Sequence, residues 1–174
     1  QDALSAGQAE NAVTLAQQTL SLPGITAAEK PVIQRTLAIA SLQAKNFPLA
    51  VLTLEAMLQD MPEGTPAAQK FPLIEALLSA SEQTQDLARV VNWARVYLKL
   101  EGTNPSVRPV LIQSLSNLNR HEEVVQEVKE KIRLDELSKV KTPQSDLRIL
   151  AVSQRQLKDD AGYNSTLKML LQNY

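Results

Sequence analysis

The feature of the sequence that most limits its fold is a pattern that recurs five times. In each copy, a turn precedes a helix that opens with one inward-facing residue, and apolar residues follow at helical spacing. Successive opening residues stand 38, 40, 34 and 40 positions apart. A period of roughly 20–50 residues is typical of repeat proteins, and this one has room for two helices and two short turns. The opening residues are Ala12, Ala50, Val90, Val124 and Asn164.

Turn and capping residues indicate where the helices begin and end. Thr26 and Glu29 have the spacing of a capping box, and Gly24 and Gly102 stand at expected helix ends. Three further helix starts place a capping residue before a proline, at Thr65, Asn104 and Thr142. No segment has the two-residue alternation of a β-strand. The sequence predicts nine helices, at about residues 8–22, 27–44, 47–60, 67–83, 86–100, 105–118, 121–138, 143–157 and 160–173.

A single helix pair cannot bury its apolar stripe, so neighbouring pairs must stack against each other. We therefore expect an all-α solenoid of antiparallel helix pairs that occupies residues 1–174 as one domain. Because the chain starts at Gln1 and its first predicted helix has no partner, we expect it to be a fragment of a longer chain. The expected parts are a half repeat at 1–25 and repeats at 26–64, 65–103, 104–141 and 142–174.

The repeats resemble those of tetratricopeptide repeat (TPR) proteins. The likeness is carried by a large–small pair in the first helix, a small residue that opens the second and a closing proline, at Leu37-Ala38, Ser41, Ala50, Leu54 and Pro62. A second copy follows the same frame more loosely, at Leu77, Ser81, Val90, Ala94 and Tyr97. The Trp and Gly of the family's first helix are missing from every copy, so the repeats are degenerate. The resemblance spans essentially the whole chain and implies a right-handed superhelical solenoid.

The last part of the chain, from Thr142 to Asn164, is similar to exported bacterial TPR proteins of unassigned function. That similarity implies the cell envelope of a Gram-negative bacterium, with the periplasm as the expected location and the cytoplasm as the alternative. The chain has no cysteine, which is compatible with an oxidising compartment but is also common in cytosolic domains.

Composition argues against several classes of partner. Lys and Arg (18) nearly balance Asp and Glu (19), and no basic stripe of the kind that binds phosphate is visible, so we expect no nucleic-acid partner. No apolar run approaches the roughly 20 residues of a membrane-spanning helix. The five glycines are scattered singly, so no phosphate-binding loop is present.

No residue pattern in the sequence points to catalysis. His121 is the single histidine, and it is either a metal ligand or general base, or a solvent-facing turn residue. The second interpretation is favoured because no other His and no Cys can complete a site. Asp159 and Asp160 are a carboxylate pair or, more simply, a helix cap. We expect no enzyme activity, no metal and no cofactor.

Two other features have both a functional and a structural interpretation. The charged run from Glu122 to Lys141 is a docking helix, or an amphipathic helix with a solvated face supported by pairs such as Glu127 with Lys131. Trp93 and Tyr97 form an aromatic anchor for a partner, or pack in the core between repeats. The structural interpretation is favoured for both.

The resemblance implies a concave wall lined by the first helix of each repeat. This wall is polar and mostly neutral, so its amides can follow a peptide backbone, although an empty groove must also be polar to stay soluble. The positions where TPR modules clamp a C-terminal carboxylate hold unsuitable residues here, namely Arg35, Ile39, Ser106 and Val110. The candidate groove residues are Arg35, Ile39, Gln43, Glu75, Ser79, Gln83, Gln113, Ser116, Asn117, Ser153 and Gln156.

The expected function is that of a non-catalytic protein–protein interaction module. Its partner would be a protein or peptide segment held in the concave groove. The alternative is a structural spacer or self-association domain of a larger envelope protein, with homodimers formed through the ends of the solenoid.

Overall fold

The computed structural model describes residues 8–174, and all regular structure in that range is α-helical. The boundaries of the helices differ from the predicted ones by at most two residues, which confirms the all-α prediction. The helices are α1 (Ala9–Leu20), α2 (Glu29–Gln43), α3 (Phe47–Gln59), α4 (Ala67–Gln83), α5 (Leu87–Lys99), α6 (Val107–Asn117), α7 (His121–Leu137), α8 (Gln144–Gln156) and α9 (Asp160–Asn173).

The chain divides into two compact units, and the boundary falls after Arg89, in the first turn of α5. In the first unit α1 packs on α2, α2 on α3 and α3 on α4. In the second unit α6 packs on α7, α7 on α8 and α8 on α9, while α6 also contacts α8. We call α2, α4, α6 and α8 the A helices, since each is the first helix of a pair, and the others the B helices.

Every A helix ends in the same tight turn. One residue adopts the left-handed conformation, and the next N–H donates to a carbonyl five residues earlier, as Asn46 does to Ser41 at 2.8 Å. This is the arrangement of a Schellman motif, here without glycine. Because the turn is identical in each pair, its left-handed residue fixes which positions of the A helices are equivalent. The left-handed residues are Lys45 (φ 56°), Gln85 (φ 57°), Asn119 (φ 55°) and Lys158 (φ 58°).

A polar residue after this turn caps three of the four following B helices. Asn46 accepts from the N–H of Leu49 at 3.3 Å, and Asp159 accepts from that of Gly162 at 2.9 Å. Asp86 does the same for α5, with the N–H of Arg89 at 3.0 Å. The capping interpretation of Asp159 is therefore confirmed.

At the start of α2 the predicted capping box is present. The Thr26 N–H donates to Glu29 Oε2 at 2.9 Å, and the Glu29 N–H donates to Thr26 Oγ1 at 3.2 Å. These bonds satisfy two amides that the helix itself leaves free. The same contacts hold the pKa of Glu29 below its usual value, the backbone bond from Thr26 being the larger cause.

The predicted caps at Thr65 and Thr142 are wrong. The prolines that follow, Pro66 and Pro143, occupy the N-cap positions of α4 and α8, and neither helix has a side-chain cap. The Thr65 hydroxyl instead donates to the carbonyl of Pro62 at 2.6 Å. At α6, Asn104 accepts from the N–H of Ser106 at 3.0 Å, which forms a turn just ahead of the helix.

Small side chains allow close packing in the first unit. Ala12, Val13 and Ala16 of α1 form one buried cluster with Leu37 and Ala40 of α2. In the second unit larger aliphatic residues fill the interior, and eight of them have no exposed surface: Val90, Val91, Leu111, Ile112, Leu115, Val124, Val128 and Leu147. Val124 and Val128 are thus core residues, which agrees with the interpretation of the charged run as an amphipathic helix.

The end of α5 corrects one expectation and confirms another. Glu101, not Gly102, is the left-handed residue there (φ 60°). Gly102 instead lies against the Tyr97 ring, and a Cβ atom on it would be 2.1 Å from Cε1 of that ring. Tyr97 is buried, so it belongs to the core as favoured, and its hydroxyl accepts from the N–H of Asn104 at 3.1 Å.

The prediction of Asn164 as an inward-facing opening residue is wrong by one position. Ala50, Val90 and Val124 are buried and each lies five residues after a left-handed turn residue. The residue five positions after Lys158 is Tyr163, which is partly buried, whereas Asn164 is exposed. The last repeat is therefore offset by one residue from the predicted frame.

Candidate functional site

The exposed sides of the A helices share one register. Counting back from each left-handed turn residue, the positions ten, six and two residues earlier fall on one side of the helix, since three and four residues are each about one turn. We call these positions the A face. They are Arg35, Ile39 and Gln43 on α2; Glu75, Ser79 and Gln83 on α4; Pro109, Gln113 and Asn117 on α6; and Arg148, Val152 and Gln156 on α8.

Most of the predicted groove residues belong to the A face. Glu75 and Ser116 are partly buried, and the exposed ones are Arg35, Ile39, Gln43, Ser79, Gln83, Gln113, Asn117 and Gln156. On α6 the Gln113 side-chain amide donates to the Asn117 carbonyl oxygen at 2.9 Å, so these two side chains are oriented together. The exposed residues are available to a partner.

Ser153 is not available, and its assignment to the groove is wrong. Its exposed fraction is 0%, and its hydroxyl lies 3.4 Å from Nδ1 of His121. The neighbouring Val152 is 56% exposed and occupies the A-face position that Ser153 was given. The physical reason is the same one-residue offset of the last repeat.

Sequence reasoning also missed Arg148 on α8. The signal that could have found it is the polar pair at three of the four A-helix ends, in which the second residue caps the next helix: Lys45-Asn46, Gln85-Asp86 and Lys158-Asp159. Aligning the repeats on these pairs, rather than on the opening residues, gives the correct register for α8.

Ion pairs in the first unit join consecutive helices. Asp60, at the end of α3, accepts from Lys30 Nζ at 2.7 Å and from the amide of Gln34 at 2.9 Å, both on α2. These donors hold the pKa of Asp60 below its usual value, with the Lys30 hydrogen bond as the larger cause. Arg89 contacts Glu55 of α3 at 3.0 Å and Asp86 at 2.9 Å.

In the second unit, the ion pair predicted between Glu127 and Lys131 is wrong, because both residues have other partners. Lys131 does not pair with Glu127. It contacts Asp135 at 2.8 Å and Asp146 of α8 at 3.4 Å, while Glu127 pairs with Arg108 of α6. Partners on neighbouring helices thus displace the expected pair along α7.

Glu123 of α7 lies between two arginines. Arg120 donates to it at 2.8 Å through one guanidinium nitrogen, and Arg95 of α5 also pairs with it. These contacts hold the pKa of the Glu123 carboxyl below its usual value, with Arg120 as the first cause and Arg95 as the second.

The geometry around His121 gives no support to a catalytic role. The ring is partly buried at the first residue of α7, not fully solvent-facing as expected, and the buried Ser153 is its hydrogen-bonding neighbour. Within residues 8–174 no three His, Cys, Asp or Glu side chains come together in a way that could hold a metal. No helix in that same range has the length and apolar character needed to cross a membrane.

A cleft of about 530 Å³ opens where α1 turns into α2. Its walls are mainly apolar, and they include Leu22, Ile25, Val32 and Ile33, with Glu29 at one side. The Glu29 carboxylate already accepts hydrogen bonds from Thr26 in the capping box, so it is not free to bind a ligand in the cleft. It is a surface feature of the first unit, separate from the A-face positions.

Two solved structures share the fold over almost the whole chain. One is a P212121 structure of MamA AMB-1, with 21% sequence identity and a TM-score of 0.61, and the match covers 98% of this chain and 85% of that one. The other is a Podosopora anserina protein assigned as a kinesin light chain with nearly identical TPR-like repeats, with 14% identity and a TM-score of 0.58, covering 98% and 89%. Neither a family model nor a curated protein matches the sequence. The likeness to these structures shows that the chain has a TPR-like helical-repeat fold.

Proposed function

We propose that this chain is a non-catalytic protein-interaction module that binds a segment of another protein along its A face. The observation that carries the proposal is the repetition of exposed side chains at equivalent positions of successive A helices. Helical-repeat proteins use extended surfaces of this kind for binding. The bound segment would lie in the groove that the resemblance to TPR proteins implies.

The chemistry of the A face suits an extended protein segment. Gln43, Gln83, Asn117 and Gln156 stand at the same position of the four A helices, and each side-chain amide can both donate and accept. Within each unit, the two amides can follow backbone N–H and C=O groups without requiring one charge. Exposed aliphatic groups, as at Ile39 and Val152, add contact area for apolar side chains.

The test compares capture of partners by the wild-type chain and by A-face variants. Gln43→Ala/Gln83→Ala alters the face in the first unit, and Gln113→Ala/Asn117→Ala alters it in the second. We expect a partner recovered from cell-envelope extract to be lost from at least one double variant. The matched control is Leu52→Ser, which changes an exposed residue of the B helix α3. Partners that bind all variants equally, or that only the control loses, would contradict the proposal.

Self-association is the second candidate function, and two exposed residues favour it. Leu171 on the last helix is 84% exposed, and Leu15 on α1 is 57% exposed. Large apolar side chains with this much exposed surface favour contact with a second copy. Sedimentation should show dimers that dissociate in Leu171→Ser. A monomer up to millimolar concentration would exclude this candidate.

We also propose the periplasm as the location, on the similarity of residues 142–164 to exported bacterial TPR proteins. Cell fractionation of a Gram-negative host that expresses the full-length protein tests it. Recovery with the periplasmic marker is expected, and recovery only with the cytoplasmic marker would contradict it.

A further inference from the structure

Charge is unevenly divided between the two units. Residues 1–89 contain 5 basic and 9 acidic side chains, whereas residues 90–174 contain 13 basic and 10 acidic ones. The overall net charge of −1 therefore hides a first part of net −4 and a second part of net +3. A surface of the second unit can attract acidic groups even though the whole chain is nearly neutral.

Part of the excess positive charge lies on the exposed surface of the A helices of the second unit. Helix α6 contains no Asp or Glu, and the one carboxylate of α8 is Asp146, which is 6% exposed and lies 3.4 Å from Lys131. Arg148 and Arg155 of α8 are both exposed, and neither takes part in an ion pair within residues 8–174. The A-helix surface of this unit thus offers two unpaired guanidinium groups and no exposed carboxylate.

The two arginines and an aliphatic residue share one side of α8. Arg148, Val152 and Arg155 are separated by four and three residues, which places them in one row along the helix. At a rise of 1.5 Å per residue, the Cα atoms of the two arginines are about 10 Å apart along the axis. Val152 lies between them, and α6, which contacts α8, presents the hydrogen-bonded pair Gln113 and Asn117.

From this arrangement we propose that the second unit binds an acidic, extended protein segment, with Arg148 and Arg155 contacting two carboxylates and Val152 contacting an aliphatic side chain between them. An extended segment in the polyproline II conformation advances about 3.1 Å per residue with three residues per turn, so acidic residues three positions apart lie on one side of it at about the spacing of the arginines. Guanidinium groups bind carboxylates through paired, charge-assisted hydrogen bonds. This inference rests on the proposed function, which it narrows to one class of partner.

The surface fits an acidic protein segment better than a nucleic acid. Neither α6 nor α8 contains an aromatic residue. Proteins that bind single strands combine positive charge with aromatic side chains on which bases stack. Val152 instead offers an aliphatic contact, which an acidic peptide with Leu or Val between its carboxylates would use.

The test uses two synthetic peptides that differ only in charge. The first has the core Glu-Leu-Val-Glu flanked by Gly and Ser, and the second has Gln in place of both Glu residues. Isotope-labelled chain is titrated with each in low salt, and amide shifts of α6 and α8 are followed by NMR. We expect the acidic peptide to bind about three- to tenfold more tightly, the range that two exposed ion pairs supply.

Variants assign that preference to the two arginines. Arg148→Gln/Arg155→Gln should bind both peptides equally, while Lys129→Gln, which removes an exposed charge from α7, should keep the preference. Equal binding of the two peptides by the wild type, or a preference that survives the double variant, would overturn the inference. So would the absence of any shift with either peptide.

Further outcomes separate this inference from the proposed function. If both peptides shift α6 and α8 equally, the A face binds protein segments without selecting acidic ones, and the proposed function stands. If single-stranded oligothymidine binds through Arg148 and Arg155 more tightly than the acidic peptide, the partner class is wrong. If the double variant instead abolishes dimers of the chain, the acidic surface is on a second copy and the peptide assignment is overturned.

Discussion

At the residue scale, the contact between Gly102 and the Tyr97 ring shows how one missing side chain can position a helix end. The ring is buried, and its hydroxyl accepts a hydrogen bond from the Asn104 backbone. Only a residue without Cβ fits at position 102, because the ring atoms would lie well inside van der Waals distance of that carbon. Glu101 meanwhile adopts the left-handed conformation that glycine usually takes. Packing, and not backbone freedom, therefore accounts for this glycine.

Gly102→Ala is expected to destabilise the chain by roughly 1–3 kcal/mol, the usual cost of overpacking. The free energy of unfolding is measured by urea titration monitored by circular dichroism. The adjacent exposed Thr103→Ala serves as the control and should change it by less than about 0.5 kcal/mol. If the two variants are equally stable, the ring is not held as the structure shows.

Gln85→Gly is expected to stabilise the chain by about 0.5 kcal/mol. Gln85 has φ 57°, a conformation that costs a residue with Cβ about 1–2 kcal/mol. Glycine removes this strain, but its greater freedom in the unfolded chain offsets part of the stabilisation. Ser79→Gly, an exposed position in the interior of α4, should instead destabilise by about 0.5 kcal/mol. Thermal unfolding midpoints that move in the same direction for both variants would contradict the turn geometry.

At the element scale, ion pairs set how α7 lies against its neighbours. Lys131 is held between Asp135 and Asp146, and Asp146 is the buried carboxylate of α8. These partners follow from packing and could not be predicted from spacing along α7, which pointed to Glu127. Helix positions, by contrast, were predictable, because prolines, caps and apolar spacing are local signals. The register of α8 was not, because the repeats differ in length.

Lys131→Met is expected to destabilise the chain by roughly 3 kcal/mol, because it leaves two largely buried carboxylates without their cation. Chemical denaturation measures the loss. The exposed Lys129→Met on the same helix should have little effect. Adding Asp135→Asn and Asp146→Asn to Lys131→Met should restore part of the stability, and failure of this rescue would show that the charges are not the cause.

The contribution of Glu123 to the free energy of unfolding depends on pH. Its pKa is lower in the folded chain than in the unfolded one, so its contribution is complete above the unfolded pKa of about 4.3 and is lost as pH falls through the folded pKa. The stability difference between wild type and Glu123→Gln should therefore be constant from about pH 5 to 8 and shrink below about pH 4. A difference that persists unchanged to pH 3 would contradict the role of Arg120 and Arg95.

At the scale of the whole molecule, an all-α solenoid of helix pairs presents equivalent positions again and again, and this repetition is the basis of the proposed function. The sequence predicted the polar character of the A face and most of its residues. It did not show that the face of α8 is basic and partly aliphatic, because Arg148 and Val152 emerge only when the repeats are aligned on their turns. Fold alone does not name a partner, so the side chains of the A face carry that argument.

The most direct test of binding along the A face is site-specific photo-crosslinking in the presence of envelope extract. A photoreactive amino acid is placed at position 39 or 113 on the A face, or at position 52 or 126 on exposed positions of the B helices α3 and α7. We predict that one partner protein crosslinks from an A-face position and from neither B-helix position. Crosslinks to that partner from the B-helix positions alone, or equally from both sets, would contradict the account.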